Sequence, residues 1–222
     1  MSRWTPESRA AAVDAVFDAA PVMPVLAIEH LADALPLCRA LVDAGLPVLE
    51  VTLRTPVALE AIALIARELP QAVVGAGTVL GAADLDAVTF AGARFAIAPG
   101  ATPALYAAAE RAPIPFIPAV ASASEIMHGL DHGHRRFKFF PAVPAGGTAA
   151  LKAFGGPFPQ VRFCPTGGID AASAPGFLAL ANVGTVGGSW MVPADRLRAR
   201  DWPAIAALAA TAAQLRKPRE SM

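Results

Sequence analysis

A chain of 222 residues suffices for one large domain or two small ones, and α/β barrels of this size fold as one. Hydrophobic residues make up 55 % and charged residues 16 %, which allows a sizeable core and argues against disorder. Acids and bases balance at 18 each with no basic block, so nothing favours nucleic acid or an anionic membrane, and no apolar run approaches the roughly 20 residues of a membrane-spanning helix.

The opening stretch, residues 1–20, has scattered acids and no apolar h-region, and is not expected to be a signal peptide. Thr5-Pro6-Glu7 reads as N-cap, first-turn proline and early acid of a short amphipathic helix. Apolar and β-branched runs then recur: PVMPVLAI (21–28), LPVLEVTL (46–53), AVVGAGTV (72–79), ARFAIAPG (93–100), PFIPAVA (115–121), RRFKFFPA (135–142), VRFCPTGG (161–168) and VGTVGGSW (183–190). Between them lie Ala/Leu-rich stretches with helical spacing, such as 31–45 and 55–69. The runs begin 20 to 26 residues apart, the length of one βα unit. They are continuous rather than alternating, as strands buried on both faces are.

Eight such units predict an α/β chain folded as a (β/α)8 TIM barrel. A doubly wound open sheet is the rival, but no strand leads into a GxGxxG turn. No low-complexity linker interrupts the chain, so residues 1–222 are expected to form one domain. Within it, 1–20 would be an extra N-terminal helix capping the barrel bottom, and 216–222 a flexible tail. Cys38 and Cys164 are far apart and form no CxxC pair, which predicts a reduced, cytoplasmic protein.

In such a barrel the chemistry sits at the C-terminal ends of the strands. The second strand offers Glu50, Thr52 and Arg54 on one face; the third ends in Thr78. The sixth carries Lys138 beside Phe140 on one face, with Phe137 and Phe139 on the other. Burying an unpaired ammonium is costly, and a lysine enclosed by aromatics cannot easily snorkel, so Lys138 is expected to serve as a neutral amine. Only three lysines stand against fifteen arginines, so scarcity adds little to that case. A desolvated lysine can form a Schiff base with a carbonyl, and Glu50 can move protons beside it. Arg54 can grip a carboxylate, with Thr78 adding a hydroxyl. The seventh and eighth strands end in Thr166-Gly167-Gly168 and Gly187-Gly188-Ser189, and a helix opening at Asp170 would add its positive end. Glycines at both places suit a phosphate, although either pair alone also makes an ordinary tight turn. Together these groups describe an enzyme for a phosphorylated 2-keto acid.

Other candidates are weaker. His128 and His132 are spaced i, i+4 with His134 beyond, but they precede the sixth strand, at the barrel bottom; solvated helix-end histidines are expected there rather than a metal site. Cys164 reads as a packed core thiol and Glu29 as a solvated loop carboxylate. Two rival classes stay open on the residues alone: a metal-dependent lyase or phosphosugar isomerase on the same barrel, and a non-catalytic binder of phosphorylated ligands.

The motifs LEVTLRT (49–55), VGAGTV (74–79), RFKFFPA (136–142), VRFCPTGGI (161–169) and VGGSW (186–190) resemble, in order and spacing, the bacterial 2-keto-3-deoxy-6-phosphogluconate (KDPG) aldolases of the Entner–Doudoroff pathway. The similarity runs from about residue 20 to residue 215. It implies a class I aldolase releasing pyruvate and glyceraldehyde 3-phosphate, in some members also cleaving 4-hydroxy-2-oxoglutarate (KHG). By the same resemblance Lys138 forms the Schiff base, Glu50 handles protons, and Arg54 with Thr78 binds the pyruvate carboxylate. Gly167, Gly168, Gly188 and Ser189 would bind phosphate, with Thr166, Phe140 and Pro99 lining the pocket. A homotrimer without metal or other cofactor is implied. Thr166 favours the gluconate epimer, since the galactonate-configured relatives tend to carry valine there; the galactonate-epimer aldolase is the alternative. The chain departs from the family pattern at Ala98, Ala119, Ala121 and Val143, which leaves the pocket mouth and substrate breadth open.

Overall fold

A computed structural model of the chain describes residues 4–215. The expected flexible tail, 216–222, lies outside the described residues, as does Lys217. The strands are β1 (Val22–Leu26), β2 (Val48–Thr52), β3 (Val73–Gly77), β4 (Ala96–Ile97), β5 (Phe116–Ile117), β6 (Ala119–Val120), β7 (Arg136–Phe139), β8 (Arg162–Pro165) and β9 (Val186–Gly188). The helices are α1 (Pro6–Phe17), α2 (Leu31–Asp43), α3 (Ala58–Glu68), α4 (Ala82–Phe90), α5 (Pro103–Ala109), α6 (Ala123–Asp131), α7 (Gly147–Phe154), α8 (Ala174–Leu178), α9 (Ala194–Arg198) and α10 (Trp202–Ala213). Every predicted apolar run holds a strand. The fifth differs from expectation in being split at Pro118, which has no amide to donate to the ladder; its carbonyl still accepts from the Lys138 amide at 3.0 Å.

All strand pairs are parallel. One series runs β5-β4-β3-β2-β1-β9, another β6-β7-β8, and the bridges Phe163–Val183 and Thr166–Gly187 join them. The molecule is therefore a mixed α/β fold on a curled parallel sheet. The curl is visible in one contact. Between β2 and β7 lie β1, β9 and β8, yet Glu50 and Lys138 touch across the concave face.

The two faces of the sheet bury different things. Outward residues such as Leu49, Val51, Phe137, Phe139 and Phe163 join the large cluster beneath the helices, where the Phe139, Phe154 and Phe163 rings pack 6.1 to 6.4 Å apart. Inward residues Met23, Val48, Phe95, Ile97, Ile117 and Cys164 form a second cluster with Val13, Val16 and Phe17 of α1. The period-two alternation hidden in the apolar runs thus separates an outer layer from an inner one.

Helix α1 opens as predicted, with the Thr5 hydroxyl accepting from the Ser8 amide and Pro6 in the first turn. Its polar side meets the beginnings of β7 and β8. The Asp14 carboxylate accepts from Arg136 Nε and Nη2, both at 2.7 Å, and from Arg162 Nη1; Asp18 takes Arg162 Nη2 at 2.6 Å. Nearby, Arg9 donates to the His132 carbonyl at 2.6 Å. The solvated-histidine expectation needs correction here. His132 is only half-buried, stacked on Tyr106, but His134 is 2 % exposed between Tyr106 and Phe116. Burial first, then Arg9 and His132, push its pKa down to about 2, so it is neutral. Among the described residues, no group of three His, Cys, Asp or Glu side chains is arranged to hold a metal, and no helix is long and apolar enough to cross a membrane.

Charge-assisted hydrogen bonds to a partly buried carboxylate contribute about 1.5–3 kcal/mol each, less where solvent reaches them. Asp14→Ala should accordingly lower the unfolding free energy by about 1–3 kcal/mol, read as a shift of the urea midpoint at unchanged slope. An unmoved midpoint would mean that α1 docks through Val13, Val16 and Phe17 alone.

Candidate active site

The concave face becomes polar toward the strand ends. On β2 the inward positions are Val48, Glu50 and Thr52, so the first packs in the inner cluster and the next two bring oxygen atoms into the interior. On β7 the inward residue is Lys138, whose register partners on either side are Ala119 and Cys164. Lys138 Nζ donates to Glu50 Oε1 at 2.9 Å and approaches Oε2 at 3.2 Å. Both residues are buried, at 6 % and 1 % exposure. The Phe140 ring centroid lies 5.4 Å from Nζ, on the shared face that the FKFF alternation predicts.

Two glycines leave room for inward side chains, Gly77 for Glu50 of this pair and Gly187 for Thr166. A Cβ on Gly77 would overlap Glu50 Oε1 and come within 2.7 Å of its Cγ. On Gly187, a Cβ would collide with the Thr166 hydroxyl. Thr166 is buried, inward like Cys164, with its Oγ1 3.9 Å from the Cys164 sulfur. That thiol is fully buried, and desolvation pushes its pKa up to about 12, so it is a packed neutral group as anticipated. Gly77 was not singled out in the sequence, although a glycine inside a strand signals close approach by something.

Arg54 and Thr78 stand at the rim. Leu53 N donates to the Gly77 carbonyl at 2.9 Å, which sets the stretch carrying Arg54 beside the one carrying Thr78. Thr78 has φ of 62°, the left-handed region that β-branched residues rarely adopt; such strain costs about 1–3 kcal/mol and clusters at ligand sites. Gly167 and Gly168 also have positive φ, 107° and 78°, and the Val143 amide bonds the Gly167 carbonyl at 3.0 Å. Gly188 is buried beneath the Trp190 ring, and Ser189 follows it, exposed. Pro99 is exposed just beyond β4, and Glu29 is solvated beyond β1.

One expected element is absent from its position. No helix opens at Asp170. Its carboxylate instead accepts from the Ser173 amide at 2.8 Å and hydroxyl at 2.7 Å, closing a turn, and the five-residue α8 begins only at Ala174. A helix dipole at that place is correspondingly weak, so the glycine backbone must supply most of any anion affinity.

The arrangement can do specific chemistry. A primary amine and a carboxylate within hydrogen-bond reach of it are the groups needed for forming and hydrolysing an imine.

Residues 13–208 match the family model described as KDPG and KHG aldolase. The chain is 51 % identical over 201 residues to the KHG/KDPG aldolase of Escherichia coli (strain K12), covering 90 % of this chain and 94 % of that one. Among solved structures, the KDPG aldolase of Legionella pneumophila, with pyruvate captured at low pH as a covalent carbinolamine intermediate, superposes with a TM-score of 0.89 at 50 % identity, over 90 % of this chain and 98 % of the other. The Zymomonas mobilis ZM4 2-keto-3-deoxy-6-phosphogluconate aldolase with 3-phosphoglycerate gives 0.88 at 52 %, over 92 % and 96 %.

Gly77→Ala should displace Glu50 from Lys138 and cost about 1–3 kcal/mol of stability through overpacking. A structure of the variant with the 2.9 Å contact intact would show that Gly77 does not hold the pair in place.

Proposed function

The chain belongs to the KDPG and KHG aldolase family, and we propose that it cleaves 2-dehydro-3-deoxy-6-phosphogluconate through a Schiff base on Lys138. The observation that carries this reading is the buried contact of Lys138 Nζ with both Glu50 oxygens. Such a pair is a poor stabiliser, which leaves chemistry as its reason to exist. The pyruvate carbinolamine of the Legionella relative supports the same step.

In the proposed cycle, Lys138 gives a proton to Glu50 and attacks C2 of the keto acid. The surplus proton on nitrogen passes to the C2 oxygen to give the carbinolamine. Glu50 returns its own proton to that hydroxyl, which leaves as water, and an iminium remains. Glu50 next takes the C4 hydroxyl proton. The electrons of C3–C4 pass to the iminium nitrogen, giving the enamine and glyceraldehyde 3-phosphate. Protonation of C3 by Glu50 and hydrolysis of the imine release pyruvate. Arg54 and Thr78 hold the carboxylate, Phe140 and Pro99 wall the pocket, and Thr166 offers its hydroxyl to the C4 oxygen, which selects the gluconate epimer. Gly167, Gly168, Gly188 and Ser189 take the phosphate, a role that the left-handed backbone of the first two supports. The name of the Escherichia coli relative supports cleavage of 4-hydroxy-2-oxoglutarate as a second activity.

Around this chemistry we read a single domain, its curled sheet as a (β/α)8 barrel and α1 as the extra helix that caps it. The enzyme would work as a cytoplasmic homotrimer without metal.

Borohydride added with pyruvate should leave a reduced pyruvyl adduct on Lys138, located by peptide mass spectrometry. No adduct, or one on Lys152 or Lys217, would overturn the mechanism and return the isomerase and binder readings. Lys138→Arg should abolish turnover, because a guanidinium does not deprotonate. Glu50→Gln should slow it by about 10²–10⁴-fold, read as kcat.

A further inference from the structure

The rim arginine is tied to the neighbouring strand by a side chain without a role in the cycle above. Thr52 is 2 % exposed at the end of β2. Its hydroxyl donates to the Leu26 carbonyl at 2.8 Å and accepts from Arg54 Nε at 3.0 Å. The direction of this relay is determined: a carbonyl can only accept, so the hydroxyl proton goes to Leu26 and a lone pair faces the guanidinium. The backbone around Arg54 is held as well. Thr55 Oγ1 donates to the Ile28 carbonyl at 2.6 Å, and Leu53 N bonds Gly77 O at 2.9 Å. The segment is therefore pinned to β1 on one side and to β3 on the other.

We propose that Thr52 is a positioning residue for Arg54, holding the guanidinium by its Nε so that the Nη edge receives the substrate carboxylate end-on. The inference rests on the reading that Arg54 binds that carboxylate. Arg54 itself is exposed, and a free arginine side chain there would give up rotamer entropy on gripping a ligand. A buried hydroxyl anchored on a strand carbonyl removes part of that loss before the ligand arrives. It also gives a reason for a polar residue at a buried strand position.

The test compares Thr52→Val, Thr52→Ser and Arg54→Ala, singly and as the T52V/R54A pair, in cleavage kinetics and in the pyruvate concentration needed for half-maximal borohydride trapping. T52V should raise KM and the half-trapping concentration about tenfold with kcat within about twofold, and T52S should restore both. R54A should raise them further, and the double variant should be no worse than R54A, since Thr52 acts through that side chain. Thr52→Ala against Thr52→Ser repeats the comparison if valine disturbs folding. Additive losses in the double variant, or a T52V defect confined to kcat, would overturn the relay. A silent T52V beside a defective R54A would do the same and leave the carboxylate reading standing. An R54A enzyme with unchanged KM and trapping would overturn both.

Discussion

A buried contact between a lysine and a glutamate is the constraint around which this molecule is arranged. Lys138 and Glu50 meet on the concave face of the sheet, from strands that are far apart in its order. Desolvating both groups costs several kcal/mol each, and their mutual attraction returns that only with good geometry and complementary neighbours. The surroundings supply these. Gly77 leaves room for the carboxylate, the Phe140 ring flanks the ammonium, and the neutral Cys164 thiol fills the space on β8 without adding a charge. The pair also gives the curl of the sheet a chemical consequence, since a flat sheet would hold β2 and β7 apart.

The two ends of the strands solve opposite problems. At their beginnings, α1 buries Val13, Val16 and Phe17 against the inner apolar cluster, while Asp14 and Asp18 gather Arg136 and Arg162. Those charges are satisfied internally, which suits a supporting role. At the other end the polar groups converge on space: Glu50, Lys138 and Thr166 inside, Arg54 and Thr78 at the rim, the left-handed glycines beyond β8. Strain gathers there too, at Thr78, as it commonly does where a ligand is held. The proposed aldolase cycle uses this asymmetry, because packing at the strand beginnings leaves the strand ends as the side from which substrate reaches the amine.

Much of the site was readable in one dimension because strands impose a period of two. Glu50, Thr52 and Arg54 share a parity, and so do Lys138 and Phe140; the structure keeps both assignments. The neighbours that matter through contact were not readable. Gly77 gave only the general hint of a strand glycine, and His134 looked solvated because nothing in HGHRR announces the Tyr106 and Phe116 rings that enclose it. Asp170 misled for a local reason: its carboxylate turns back on Ser173, a competition between side chain and helix that composition alone does not resolve.

The sequence by itself determined the repeating strand and helix units, the candidate side chains and the face of its strand that each one takes. These follow from local rules, namely period, capping and the cost of hiding an amine. Only the tertiary structure decided that Lys138 meets Glu50 at 2.9 Å, that Pro118 splits a strand, and that the Thr52 hydroxyl ties Arg54 to Leu26. Those facts depend on how far the sheet curls and which strands become neighbours, and no stretch of chain carries that information alone.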